Sequence, residues 1–181
     1  MATTPTLLSI DQYLSTSYHP DADFVDGEIE ERNVGEYTHA KIQSFITHLF
    51  MQHADAWETD AVVEQRIRVN SSRVRVCDVA VLRTDTPLEE VTATPPLICI
   101  EILSPEDRLS SAQRVLADYF AMGVPNVWLV DPYKRVAYTY DATGLHIADT
   151  TNLAVPGSPI RLDLTPAFAQ LDKKAAARNR L

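Results

Sequence analysis

Three runs in one stretch decide how this chain folds: Arg73–Leu82 (RVRVCDVAVL), Leu97–Pro105 (LICIEILSP) and Val124–Pro132 (VPNVWLVDP). The first alternates with a period of two, as does Val62–Val69 before it, and Asn70-Ser71-Ser72 supplies the turn of a hairpin. Strict alternation puts Val74, Val76, Asp78, Ala80 and Leu82 on one face and Arg73, Arg75, Cys77, Val79 and Val81 on the other. It also puts Gln65 in a row with Val63, Ile67 and Val69. Leu97–Leu103 is apolar except for Glu101, a pattern that fits a strand covered on both faces.

Asp78 and Glu101 therefore sit inside apolar runs. A lone buried carboxylate is costly unless it is neutralised or paired. Two on neighbouring strands repel unless a cation lies between them. Oxygen ligands of this kind suit Mg²⁺ or Mn²⁺. Two bland readings stand beside the metal: Asp78 touching water at a strand end, and Glu101 paired with an arginine.

The order of pieces, V-x-D-V-x-V at Val76–Val81, an apolar-E-x-L-S-P run ending at Pro105, a helix, and G-V-P-x-x-W-L-V-D-P at Gly123–Pro132, resembles the Uma ("Uma-two") family of candidate restriction endonucleases, within the PD-(D/E)xK nuclease superfamily. Phe24–Arg32 (FVDGEIEER), Gly35–His39 (GEYTH) and Glu64–Val69 (EQRIRV) fit the same pattern, so the resemblance runs from about Ser9 to about Leu171. It implies a restriction-endonuclease-like core, DNA as substrate and Mg²⁺ or Mn²⁺ as cofactor. It implies metal ligation by Asp78, Glu101, Glu36 and a backbone carbonyl near Ile102, with Gln65 holding water or phosphate. The superfamily lysine is absent. Its usual position is Leu103, and the alternative in the following helix is Val115. Arg114 and Arg108 are the candidate substitutes, although arginine stays protonated and is no base. Cys77 also stands where a proline is usual.

The rest of the chain sets the frame. At 181 residues, one domain over 1–171 is expected, with 172–181 a basic tail that frays. Cys77 and Cys99 both fall in expected strands and read as reduced thiols, which points to the cytoplasm. MATTPTLLSI lacks a basic region and a long apolar core, so no signal peptide is expected, and no run approaches a membrane span. The net charge of −9 counts against broad nucleic-acid binding, though not against a local basic groove. Arg66, Arg68, Arg73 and Arg75 form either such a phosphate track or a solvated, guarded sheet face.

Ser9–Gln12 reads as a capping box, and Asp26-Gly27 as a hairpin turn. A long helix is expected over 35–57 on Ile42, Ile46, Leu49 and Phe50. Its His39 and His48 read as surface or half-buried side chains, and Glu36 as either a metal ligand or an acid favouring the helix dipole. Residues 84–96 are a loop, either a connector or a lid. A second helix is expected over 107–122, stopped by Gly123, with Phe120 inward and Asp107, Ser111, Arg114 and Asp118 forming a solvated stripe. A parallel crossover then leads to a strand at 127–130. Another strand falls at 136–140 and weaker ones at 145–148 and 160–164, and Thr165-Pro166 opens a last short helix. Tyr138 and Tyr140 line either a homodimer interface or the core. No glycine-rich phosphate loop and no G-x-S-x-G occurs, which excludes the commonest nucleotide and serine-hydrolase sites. The fold class expected is α/β, a mixed central sheet flanked by helices. The alternative to a nuclease is the same scaffold kept as a nucleic-acid-binding, protein-binding or regulatory module.

Overall fold

The computed structural model describes residues 7–33, 35–148 and 151–178. Its elements are α1 (Ile10–Leu14), β1 (Ala22–Val25), β2 (Glu28–Glu31), α2 (Tyr37–Gln52), α3 (Ala54–Trp57), β3 (Thr59–Asn70) and β4 (Arg73–Arg83). They continue with β5 (Ile98–Ile102), α4 (Leu109–Met122), β6 (Asn126–Asp131), β7 (Val136–Asp141), β8 (Gly144–Ile147), β9 (Asn152–Ala154), β10 (Arg161–Asp163) and α5 (Thr165–Arg178). Eight strands form one mixed sheet in the order β2-β1-β4-β5-β6-β7-β8, with β3 on β4. Only β5 and β6 are parallel, joined through α4 as the crossover pattern requires. β9 and β10 form a separate small ribbon.

The two faces of the sheet carry two cores. Ile42, Ile46 and Phe50 of α2 and Phe168 and Leu171 of α5 cover Val79, Val81, Ile98, Ile100 and Trp128. Leu116 and Tyr119 of α4 cover Cys77, Ala80, Cys99, Val127 and Leu129. Cys77 and Ala80 thus face α4 while Val79 and Val81 face α2. The strict alternation expected along β4 breaks at Asp78, and only the backbone geometry reveals it.

The long helix is two helices, α2 and α3, broken at His53. The Asp107–Met122 helix starts instead at Leu109, and its polar stripe is not simply solvated. Asp118 is buried against Arg73 and Arg75, and Phe120 is 40% exposed rather than inward. Gly123 ends α4 at φ 101°, a left-handed conformation that favours glycine. α5 continues to Arg178, so the expected frayed tail is helical through those residues; Asp172 pairs with Arg135 and Lys174 lies over Tyr37. Residues 179–181 of that tail lie outside the described residues. Tyr138 is buried in the α4-side core and Tyr140 half-buried against it, and Cys77 and Cys99 are buried free thiols. Among the described residues no helix is long and apolar enough to cross a membrane.

Candidate functional site

The site follows from how β4 is edged. β3 pairs along its whole length on one side. On the other side β1 pairs only at Arg73 and Val74, and β5 only from Val79 to Val81. Between them β4 has no strand partner on that edge, and carboxylates take over from the ladder. Asp23 Oδ1 accepts from the Val76 N–H at 2.8 Å, and Asp78 Oδ2 accepts from the Ile102 N–H at 2.7 Å. The β4–β5 pairing thus stops where Asp78 and Glu101 face the gap. The gap opens into a cleft of about 570 Å³ lined by residues of β1, β2, α2, β4, β5 and α4.

Asp78 is 2% exposed and fully engaged. Besides Ile102, its carboxylate takes Arg32 Nη2 at 2.5 Å and His39 Nε2 at 3.2 Å. Arg32, just past the end of β2, also reaches Glu64 at 2.5 Å. Gln43 of α2 ties the assembly together, donating to Glu64 Oε1 at 2.7 Å and to the Asp78 carbonyl at 2.9 Å. Glu64 has φ 51°, a left-handed kink inside β3 at the position opposite Asp78. Glu101 Oε1 accepts from the Tyr119 hydroxyl at 2.7 Å.

The electrostatics agree with this crowding. Burial, reinforced by the charge of Asp78, pushes the Glu101 carboxyl well above the usual carboxylate range, while Arg32 and Tyr119 act against the rise. Burial works against the charge on Arg32, but Asp78, Glu101 and Glu64 outweigh it and hold the guanidinium protonated. His39 balances its burial against the hydrogen bond and charge of Asp78, and its pKa is raised.

The expected residues divide clearly. Asp78, Glu101 and Ile102 meet in the cleft, and Arg108 and Arg114 stand exposed on its rim. Ile102 contributes its N–H to Asp78. Glu36 does not join them: it is the exposed N-cap of α2 and is absent from the cleft lining. Gln65 points away, its amide donating to the Glu90 carbonyl and Thr92 Oγ1 at 3.2 and 3.0 Å, because Gln65 lies on the far side of the β3 kink from Asp78. Leu103 is buried and Val115 half-buried, so neither lysine position carries a cation. The 84–96 loop is no lid. It lies along the outer edge of β3, where Thr92 bridges Ile67.

Three of the four arginines of the basic hairpin are engaged by carboxylates rather than presented as a free phosphate track, while Arg68 stands exposed. Arg66 is paired with Asp21, Arg73 with Asp26 and Asp118, and Arg75 with Asp23, Glu30 and Asp118.

Sequence reading missed Arg32, His39, Gln43 and Glu64. The available signal was helical spacing: His39 and Gln43, one turn apart on α2, lie on one side of the helix.

The donor chemistry fits a hard divalent ion: carboxylate oxygens of Asp78, Glu101 and Glu64, beside one imidazole. Among the described residues, however, no three His, Cys, Asp or Glu side chains are gathered closely enough to hold an ion. The Arg32 guanidinium stands between Asp78 and Glu64 as the cation the cluster requires.

Comparison with curated proteins finds no match. A crystal structure of a "putative nuclease belonging to DUF820" from Anabaena variabilis superposes with a TM-score of 0.77 at 19% identity. The likeness covers 91% of this chain and 99% of that one. At that identity it is a likeness of fold. Residues 10–170 match the profile of the Uma2 family, described as "Putative restriction endonuclease". With so much of the sequence matched, the chain belongs to the Uma2 family.

Proposed function

We propose that the protein is a divalent-metal-dependent endonuclease that hydrolyses phosphodiester bonds of DNA. The observation that carries this reading is the meeting of Asp78 and Glu101 in the gap where β4 and β5 stop pairing, at the floor of an open cleft. Mg²⁺ or Mn²⁺, when bound, supplies charge neutralisation at the phosphate and a water of lowered pKa.

The chain's own residues do the positioning. Asp78 and Glu101 are the residues that would hold the ion. The Ile102 N–H and His39 fix the Asp78 carboxylate, and the Tyr119 hydroxyl fixes Glu101. Arg108 and Arg114 on the rim are placed to meet phosphate oxygens as the backbone of DNA enters the cleft. Glu36 and Gln65 have no part in this arrangement. The two buried thiols support the expected cytoplasmic setting.

The experiment is conversion of supercoiled plasmid in Mg²⁺, in Mn²⁺ and in EDTA. Relaxed or linear product with either metal, and none in EDTA, is expected. No product under any condition overturns the nuclease reading. A second reading, a nuclease scaffold kept for binding, is favoured by Leu103 and Val115 at the lysine positions. Its signature is Mn²⁺ binding by calorimetry without any nicking.

A further inference from the structure

The place where a divalent ion is expected is already held by a positive charge. Arg32 Nη2 meets Asp78 Oδ1 and Arg32 Nη1 meets Glu64 Oε2, both at 2.5 Å. The guanidinium is well defined in this position because its partners are. Glu64 is tied by Gln43, and Asp78 by His39 and Ile102. The Arg32 side chain is only 21% exposed, so its ion pairs are shielded more than a surface pair would be.

We propose that Arg32 is a resident cation of this site, which bridges Asp78 and Glu64 and which a divalent ion must displace to bind. The inference rests on the metal-site reading above and adds a competitor to it. It explains how Asp78 and Glu64 lie side by side where the usual lysine positions, Leu103 and Val115, carry no cation. Like charges so close together in a partly buried site repel strongly unless a cation intervenes. Asp78 and Glu64 accordingly flank a planar guanidinium, one on each of its terminal nitrogens. The consequence is thermodynamic. Every divalent ion that binds must break two short charge-assisted hydrogen bonds before making its own, so apparent metal affinity falls by the cost of that exchange.

The experiment is isothermal titration calorimetry with Mn²⁺ on wild type, Arg32→Gln and Arg32→Lys, with thermal melts in EDTA and in Mn²⁺. Arg32→Gln is expected to bind Mn²⁺ at least tenfold more tightly than wild type. Arg32→Lys is expected to lie between them, since it keeps the charge but loses the two-pronged grip. Without metal, Arg32→Gln is expected to melt below wild type because its acids are left unbalanced. Mn²⁺ then raises its Tm by more than it raises the wild-type Tm. The melts also show that the variant folds. Equal or weaker Mn²⁺ binding by a folded Arg32→Gln overturns the competitor role and leaves the metal site standing. Absence of Mn²⁺ binding in all three proteins removes the metal site itself, and this proposal with it.

Discussion

Arg75 is the residue whose loss should be felt most widely. It is 2% exposed, and its guanidinium holds Asp23, Glu30 and Asp118, each at 2.8 Å. Those carboxylates come from β1, β2 and α4, so one side chain fastens the first hairpin and the crossover helix to β4. Arg75→Met keeps much of the volume and removes the charge, leaving Asp23 and Asp118 buried without their main partner. Removing one member of a buried ion pair costs about 3–5 kcal/mol. For a chain of this size that corresponds to a fall in Tm of about 6–20 °C.

The sign of the pH dependence follows from Asp23. Burial already raises its pKa in the folded protein, and Arg75 opposes that rise. Without Arg75 the folded-state pKa climbs further above the unfolded value. The folded variant then binds more protons than the unfolded chain, and its stability falls as pH rises through that window. The deficit against wild type is therefore larger at pH 8 than at pH 5. Urea unfolding at both pH values measures it, and Asp23→Asn added to Arg75→Met should recover part of the loss at pH 8. A loss below about 1 kcal/mol, in the range of an exposed pair, or a deficit that grows on acidification, would refute the argument.

Other consequences concern the cleft. Glu101→Gln in EDTA is expected to stabilise the protein at neutral pH by about 0.5–2 kcal/mol, the gain typical of relieving strain at a functional site. The Glu101 pKa is raised in the fold, so the gain should vanish below the unfolded carboxylate value and open as pH rises; paired thermal melts across pH check it. Arg108→Ala and Arg114→Ala should each weaken DNA binding uniformly across sequences and reduce the salt slope of the affinity by about one, read by fluorescence anisotropy at several salt concentrations. An unchanged slope would place these arginines off the path of the DNA.

Most of the sheet was legible in sequence because β4, β5 and β6 are short apolar runs with turn residues at their ends. Asp78 and Glu101 stood out because each is a charge inside such a run. The helix boundaries were less legible. The break at His53 has no proline or glycine to announce it, and Leu109 rather than Asp107 starts α4 because Asp107 turns back to the Ser104 N–H at 2.6 Å. The partners of Asp78 were hidden for a different reason. Arg32 just past β2, His39 of α2 and Glu64 of β3 are brought together only by tertiary packing. Glu64 meets Arg32 and Gln43 at a left-handed backbone kink, which a period-two reading cannot anticipate. Arg66, Arg73 and Arg75 read as a basic surface because their carboxylate partners lie 43 to 52 positions away in sequence for the buried pairs of Arg75, beyond any local pattern.

The most direct test of the account compares wild type with Asp78→Asn in the supercoiled-plasmid assay with Mn²⁺, with circular dichroism melts showing that both are folded. Asparagine keeps the shape of Asp78 and an oxygen for the Ile102 N–H while removing the charge. Metal-dependent nicking by wild type, reduced at least about a hundredfold in Asp78→Asn, is the expected result, on the scale of losing an essential electrostatic group. Equal nicking by the two proteins would contradict the account, because the carboxylate at the centre of the cleft would then have no role in the chemistry.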